Sequence, residues 1–305
     1  MEIVGLDLRF NLKCSILTNR LSHTTIQHYA MRGKKRMASK NQLLILMDGH
    51  AMVYRAWHAI QQPLNLRTTG EDVRAVYGFL NSFLRTIADF NPTHCIIAFD
   101  TPGPTFRHDD YTEYKAHRPP MPEELRSQFK HVRTMMNAFE IPIFEEDKYE
   151  ADDVIGTICK KAEKEGIETL ILTGDTDELQ LVSPLVKVML SHSVQGKALY
   201  DIKKVEERYE GLGPETVPDI KALEGDKSDN IPGVPGIGKK TAIRLLKEFG
   251  SIEKIYTHLE KVHPPKVQND LRENQKQTIQ GKFLTTIVKD IPLQVDFGNA
   301  LFWKY

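Results

Sequence analysis

Acidic side chains stand directly after three apolar runs of the chain. The runs and their acids are 43–47 with Asp48, 95–99 with Asp100, and 169–173 with Asp175 and Asp177. Short apolar runs of this kind predict buried strands, and the carboxyl ends of parallel strands lie along one edge of a sheet. We therefore expect these four aspartates to lie close together.

Two further groups of carboxylates lie outside the predicted strands. Residues 145–153 contain six acids and one lysine at the start of a predicted helix, where a solvated helix N-terminus is an equal alternative. Asp226 and Asp229 precede a glycine-rich turn, and ordinary turn chemistry would also account for them. Such alternatives apply less well to Asp48 and Asp100, because both follow apolar strands directly.

Carboxylates without nearby histidine or cysteine are ligands for hard cations such as Mg²⁺ and Mn²⁺, and they disfavour zinc. One ion cannot use so many carboxylates, whereas two ions roughly 3.5–4 Å apart can. Such pairs of ions activate water and stabilise the leaving oxygen in phosphoryl displacement. We expect a site for two Mg²⁺ ions, with Mn²⁺ as a substitute, that acts on a phosphodiester.

Strands and helices alternate along most of the chain. A fourth candidate strand lies at 186–190, and the predicted helices are 73–90, 127–139 and 151–165, the last ending at Gly166. This alternation predicts an α/β fold with a mostly parallel central sheet flanked by helices, which we place at residues 42–221. Short helices with Gly and Pro turns follow, including 239–249 with Gly250 as its stop, and they predict a C-terminal helical domain at 222–305.

The composition limits the classes of function. The chain has 305 residues with 41 basic and 41 acidic side chains, and its three widely spaced cysteines support neither a disulfide framework nor a zinc module. It has no apolar run of about 20 residues and no signal-peptide pattern, so we expect no membrane function. Residues 1–40 carry eight basic residues against two acids, and we expect residues 1–41 to form a basic, disordered extension. Met37 is an alternative start.

Five acidic motifs, taken together and in this order, resemble the 5′-nuclease domain of bacterial DNA polymerase I, in the flap endonuclease superfamily. The motifs are 46–50, 98–100, 149–153, 174–180 and 225–233. The resemblance covers roughly residues 43–297 and implies a PIN-like nuclease core. It further implies that Asp48, Asp100, Glu150 and Asp152 serve mainly a first metal ion. Asp175, Asp177 and Asp229 would serve a second ion, with Asp153 and Asp226 close by.

Residues 101–124, which we call the arch segment, interleave Arg, Lys and Tyr in a long irregular stretch. Such a composition suits single-stranded DNA, although a merely solvated loop is an alternative. The resemblance implies a helical arch over the active site, with Lys115 and Arg118 contacting the scissile phosphate. Arg107 is a weaker candidate for contact with the same strand. Tyr54 could stack on a terminal base, with a core role as an equal alternative.

Residues 233–240 resemble a helix-hairpin-helix turn. Glycines let the backbone approach a phosphate, and the helix that follows offers N–H donors. Gly236, Gly238, Lys239 and Lys240 are therefore candidate DNA contacts, although a plain helix connection would have the same pattern. The resemblance also implies a K⁺ ion at this turn.

The sequence thus predicts a monomeric, structure-selective 5′ nuclease, both 5′-to-3′ exonuclease and flap endonuclease, for DNA replication and repair. Its expected partners are DNA with 5′ ends or flaps and a separate DNA polymerase, in the cytoplasm at the nucleoid, with organellar targeting left open. Two alternatives are a noncatalytic DNA clamp and a phosphotransferase of the haloacid dehalogenase type. The latter would need an acid at position 50 and Thr at 52, where the chain has His50 and Met52.

Overall fold

The computed structural model describes residues 42–192 and 196–302. The prediction of a disordered extension at residues 1–41 lies outside the described residues. In the described part, no helix is long and apolar enough to cross a bilayer.

Six strands form a central sheet in the order β3-β2-β1-β4-β5-β6. They are β1 (Leu43–Asp48), β2 (His94–Ala98), β3 (Ile143–Phe144), β4 (Glu168–Thr173), β5 (Val186–His192) and β6 (Gly196–Tyr200). All neighbouring strands are parallel except β5 and β6, so the predicted mostly parallel sheet is confirmed. From β1 the chain adds β2 and β3 on one side, and it then crosses to the other side of β1 to add β4 and β5. The ends of β1 and β4 therefore lie at a topological switch point.

Eleven helices lie within the described residues. They are α1 (Gly49–Ala59), α2 (Arg74–Phe90), α3 (Phe106–Asp110), α4 (Glu123–Ala138), α5 (Ala151–Lys164), α6 (Ile202–Arg208), α7 (Val217–Glu224), α8 (Lys239–Phe249), α9 (Ile252–Thr257), α10 (Pro265–Glu273) and α11 (Gln275–Thr285). A two-stranded hairpin, β7 (Gly225–Asp226) and β8 (Ile231–Pro232), connects α7 to the turn before α8.

The predicted helices match the observed ones within a residue at most ends. The exception is α4, which begins at Glu123 rather than 127, since Pro122 has extended backbone and Glu123 and Glu124 complement the helix dipole. Sequence patterning predicted neither α1 nor the short α3 inside the arch segment. Helix α7 continues through residue 221, where the boundary between the two domains was expected.

Alternate residues of β1 pack on opposite faces of the sheet, as the pleat of a strand requires. Ile45 and Met47 contribute to a core with α1, α2 and α4, whereas Leu44 and Leu46 belong to a core with α5. The second core continues into the C-terminal helices, where Leu246 is one of its members. Burial on both faces explains why the strands read as unbroken apolar runs.

Helix α1 begins immediately at the end of β1, which fixes the direction of Asp48. The Asp48 carboxylate caps this helix by accepting a hydrogen bond from Ala51 N–H at 2.9 Å. Gly49 is required at the first position, because a Cβ atom there would lie 2.4 Å from the Phe99 ring.

Replacing Gly49 with alanine should lower the free energy of unfolding by about 1–3 kcal/mol, since the added methyl group overpacks the site against Phe99. Gly174→Ala is the matched control, because its Cβ would meet only Ala51 at an ordinary 3.8 Å. Urea denaturation in EDTA measures both. Equal stability of Gly49→Ala and the wild type would contradict the close approach.

Candidate metal and DNA site

The acids at the switch point form a compact cluster. One carboxylate oxygen from each of Asp48, Asp152 and Glu178 lies within 4.8 Å of the other two. Burial, followed by repulsion from Asp100 and Asp175, raises the pKa of Asp48 to about 7. Burial and neighbouring carboxylates also raise the pKa of Asp152 and of Glu178. Two buried acids and one half-buried acid at this separation are unfavourable in their ionised forms without a cation.

Thr173 connects the end of β4 to the cluster. Its hydroxyl donates to Asp48 Oδ2 at 2.9 Å and accepts from Asp175 N–H at 3.0 Å. Asp175 Oδ1 in turn accepts from Asp177 N–H at 2.9 Å. The turn after β4 therefore holds Asp175 close enough to Asp48 for its charge to raise the pKa of Asp48.

Asp100 connects the end of β2 to the N-terminus of α5. Its Oδ1 accepts a hydrogen bond from Ala151 N–H at 2.7 Å. His50 Nδ1 accepts from Asp100 N–H at 3.1 Å and lies 3.2 Å from Asp100 Oδ2. Burial lowers the pKa of His50, which favours the neutral imidazole. A neutral His50 does not compensate the negative charge of Asp100.

The arch segment reaches two other predicted ligands, Glu150 and Asp229. Lys115 Nζ donates to Glu150 Oε1 at 2.7 Å, and Arg118 Nη2 donates to Asp229 Oδ1 at 2.6 Å. The Tyr114 hydroxyl lies 3.1 Å from Glu150 Oε2 and 3.0 Å from Asp229 Oδ2. The arch and the hairpin after α7 thus meet over the acidic edge.

Lys221 on α7 lies between the two remaining acids, Asp177 and Asp226. Its Nζ donates to Asp177 and, at 2.6 Å, to Asp226 Oδ2. Burial would raise the pKa of Asp226, but Lys221 and hydrogen bonds from Ser228 lower it to about 2. One ammonium group therefore holds acids from two separate segments together.

Arg107 and Asp153 form a buried ion pair, and this corrects two predictions. Arg107 is 2% exposed, and its guanidinium donates two hydrogen bonds to Asp153, at 2.7 and 2.9 Å. It also donates to the carbonyls of Leu284 and Thr286. Burial disfavours the charged form, yet Asp153 raises the net pKa of Arg107. A guanidinium used in this way is not free for DNA, so that prediction is wrong.

Asp153 is likewise fully used within the fold. Besides Arg107, it accepts hydrogen bonds from Glu150 N–H at 3.1 Å and Val288 N–H at 2.9 Å, and it is completely buried. The prediction of a metal-associated role for Asp153 is corrected for this reason. Through Arg107 and Asp153, the arch segment and α5 instead bind the chain at the end of α11 and just after it.

The predicted DNA contacts of Tyr54 and of the turn at residues 233–240 are not tested by the structure and stay predictions. Tyr54 is half-buried, with its ring 5.8 Å from that of Phe129, so the core alternative has support. Gly236 has a φ of +78° and is exposed, as is Gly238 directly before α8. Lys239 Nζ lies 4.8 Å from the Tyr209 ring, and Lys240 is exposed.

Sequence reasoning missed three residues of this region: Tyr114, Lys221 and Glu178. Tyr114 was visible only as one aromatic of the arch segment, and Lys221 as one of many lysines. Glu178 directly follows Asp177, but alternation within a turn gives no indication of which side chains face the cluster. The donor set is all oxygen around Asp48, Asp152 and Asp175, which fits Mg²⁺ or Mn²⁺.

Family models match almost all of the described chain. Residues 43–210 match the N-terminal resolvase-like domain of 5′–3′ exonucleases, and residues 212–303 match their C-terminal SAM-fold domain. The chain belongs to the 5′–3′ exonuclease family. The resemblance inferred from the five motifs is therefore confirmed, and the haloacid dehalogenase alternative is wrong.

Relatives of this 5′–3′ exonuclease family member include DNA polymerase I of Chloroflexus aurantiacus. That protein is 44% identical over 266 residues, which is 86% of this chain and 28% of the relative. The chain thus spans less than a third of the length of this curated relative.

Solved structures share the fold. The bacteriophage T5 5′-exonuclease with bound divalent metal ions (zinc) gives a TM-score of 0.67 at 22% identity, over 81% of this chain and 90% of the other. The T5 flap endonuclease in a pseudo-enzyme–product complex with DNA and metal ions gives 0.65 at 22% identity, over 80% and 89%.

The metal-free protein should lose stability as the pH rises through the range in which the Asp48 carboxyl ionises. Because the folded pKa of Asp48, about 7, lies above its ordinary 3.8, its contribution is complete below pH 3.8 and is lost as the pH rises through 7. Asp48→Asn keeps a capping oxygen and should reduce the loss between pH 5 and 8 by on the order of 1–4 kcal/mol. Urea denaturation in EDTA measures this, with exposed Asp290→Asn as control. Parallel pH curves for Asp48→Asn and wild type would contradict it.

Arg107→Ala should lower the free energy of unfolding by about 3–5 kcal/mol, because it leaves Asp153 buried and unpaired. The double variant Arg107→Met/Asp153→Leu should recover much of this loss and bind DNA as the wild type does. Arg126→Ala, which removes an exposed pair with Glu123, is the control and should cost at most about 1 kcal/mol. Urea denaturation and DNA binding by fluorescence anisotropy measure these effects. Wild-type stability of Arg107→Ala would disprove the structural role.

Proposed function

We propose that this chain is a structure-selective 5′ nuclease, acting as a 5′-to-3′ exonuclease and flap endonuclease on DNA through two divalent metal ions. The observation that carries the proposal is the group Asp48, Asp152 and Asp175 at the switch point. Within the described residues, no basic side chain forms an ion pair with any of the three. A divalent cation is the missing charge.

The family resemblance supports two sets of ligands. Asp48, Asp100, Glu150 and Asp152 would hold the first ion, and Asp175, Asp177 and Asp229 the second, with Asp226 beside it. Mg²⁺ is the proposed cofactor, and Mn²⁺ substitutes for it. When bound, the two ions supply a polarised water and neutralise the leaving 3′ oxygen, which leaves a 5′-phosphate and a 3′-hydroxyl.

Basic residues of the chain would then bind the DNA backbone. Lys115, Arg118 and Lys221 each contact carboxylates that are also proposed ligands. Where those carboxylates coordinate cations, the three basic groups lose their partners and can pair with phosphate oxygens instead. The same three side chains thus neutralise the acids in the metal-free protein and would position the substrate when the metal ions are bound.

The turn at 233–240 would bind the duplex part of the substrate through its exposed backbone and Lys240, with a K⁺ ion at the turn. Phosphate contacts of this kind do not read sequence, so selection for 5′ ends and flaps rests on the shape of the DNA. The T5 flap endonuclease, which shares the fold, has been solved in a complex with DNA and metal ions, and this supports DNA as the substrate.

Because the curated relative is a DNA polymerase, we infer roles in replication and repair at the nucleoid, with a DNA polymerase as partner. One chain carries the complete acidic set, which supports action as a monomer. A noncatalytic clamp would explain the DNA-binding turn but not the convergence of eight carboxylates.

Neutralising the second ligand set tests the proposal. Asp175→Asn/Asp177→Asn should lower cleavage of a 5′-labelled flap substrate in Mg²⁺ by at least about 100-fold, because charge stabilisation of the leaving oxygen is lost. DNA binding, measured by anisotropy, should stay close to the wild-type value. Asp290→Asn is the control for charge. Near-normal cleavage by the double variant would refute the assignment, and so would parallel loss of binding and cleavage.

A further inference from the structure

Glu178 is a buried carboxylate that the nine predicted ligands do not include. It lies in the 3-10 turn Asp177–Leu181 directly after the Asp-Thr-Asp turn, and its relative exposure is zero. Its carboxylate nevertheless reaches the acidic cluster, with one oxygen within 4.8 Å of oxygens of Asp48 and Asp152. Neighbouring Asp177 points to Lys221, so the two consecutive acids face different parts of the site.

In the part of the chain that the structure describes, neither oxygen of Glu178 has a hydrogen-bond partner with good geometry. Burial raises the pKa of Glu178 and the nearby Thr173 hydroxyl lowers it slightly, but this hydroxyl donates its proton to Asp48. Three other acids of the region differ from Glu178, because each has a basic partner. Glu150 has Lys115, Asp153 has Arg107, and Asp226 has Lys221. A buried carboxylate is rarely left without donors or a cation, because burial without either strongly disfavours it. The fold alone therefore does not account for Glu178.

We propose that Glu178 is an additional ligand of the divalent ion held by Asp48 and Asp152. This inference rests on the proposed two-metal function and extends the first ligand set into the core. The ligand class is a hard cation, Mg²⁺ or Mn²⁺, since all the oxygen donors are carboxylates.

A purely structural role gives different expectations. A neutral Glu178 that only fills space would be replaced by glutamine or leucine without effect on metal affinity. If Glu178 is a metal ligand, both substitutions should weaken metal binding, because leucine removes the oxygen donor and glutamine removes its charge. Two variants are needed, since the glutamine amide oxygen is itself a weak ligand for hard cations.

Mn²⁺ binding to the DNA-free protein tests the inference without a turnover assay. Isothermal titration calorimetry and electron paramagnetic resonance give the number of sites and their dissociation constants for wild type, Glu178→Gln and Glu178→Leu. We expect one site to weaken by at least about 10-fold in Glu178→Gln and more in Glu178→Leu, with the other site unchanged. Exposed Glu207→Gln is the control and should bind as the wild type does.

Thermal unfolding in EDTA accompanies the titrations. Removing one of three neighbouring carboxylates relieves repulsion, so both variants should be at least as stable as the wild type without metal, and Mn²⁺ should raise their melting temperatures less. Wild-type dissociation constants in either folded variant, or lower melting temperatures of both in EDTA, would overturn the inference while leaving the nuclease function intact. Failure of the wild type itself to bind Mn²⁺ would overturn both.

Discussion

Repulsion among carboxylates that have no positive partner is the constraint on which this structure depends. The parallel sheet and the start of α5 bring Asp48, Asp152 and Asp175 together at one edge, at the topological switch point between β1 and β4. Apolar cores on both faces of the sheet hold the strand ends in place, so the acids cannot separate to relieve the repulsion. Burial and this repulsion raise the pKa values of Asp48 and Asp152, and protonation relieves the repulsion in the metal-free protein. A bound cation is what would compensate the ionised carboxylates.

The basic residues are distributed around this centre in a consistent pattern. Lys115, Arg118 and Lys221 neutralise the outer acids and are partly accessible. Arg107, in contrast, pairs with Asp153 and donates to backbone carbonyls at the C-terminal end of α11, and these contacts join the arch segment to the C-terminal helices. The basic groups that we propose to exchange partners are thus the more accessible ones, and the Arg107–Asp153 pair is buried.

Four of the six strands, the mostly parallel topology and the acids that follow three of the strands were predictable from the sequence, because apolar runs and the acids after them are local patterns. The two-residue β3 and the antiparallel edge strand β6 were not predicted. The pairing of Arg107 with Asp153 was not, since the two residues are 46 positions apart and both belong to motifs that read equally well as functional. Lys221 and Glu178 were missed for a related reason. Their roles depend on which way a side chain points from a helix or a 3-10 turn, and neither has a periodic signal.

The most direct test of the account is a crystal of the metal-free protein soaked in Mn²⁺ and measured for anomalous scattering. The account predicts two peaks at the switch point, one bounded by Asp48 and Asp152 and the other by Asp175 and Asp177. It also predicts that Lys221 moves away from Asp177. An absence of anomalous signal among these carboxylates, with their side chains unchanged, would contradict it.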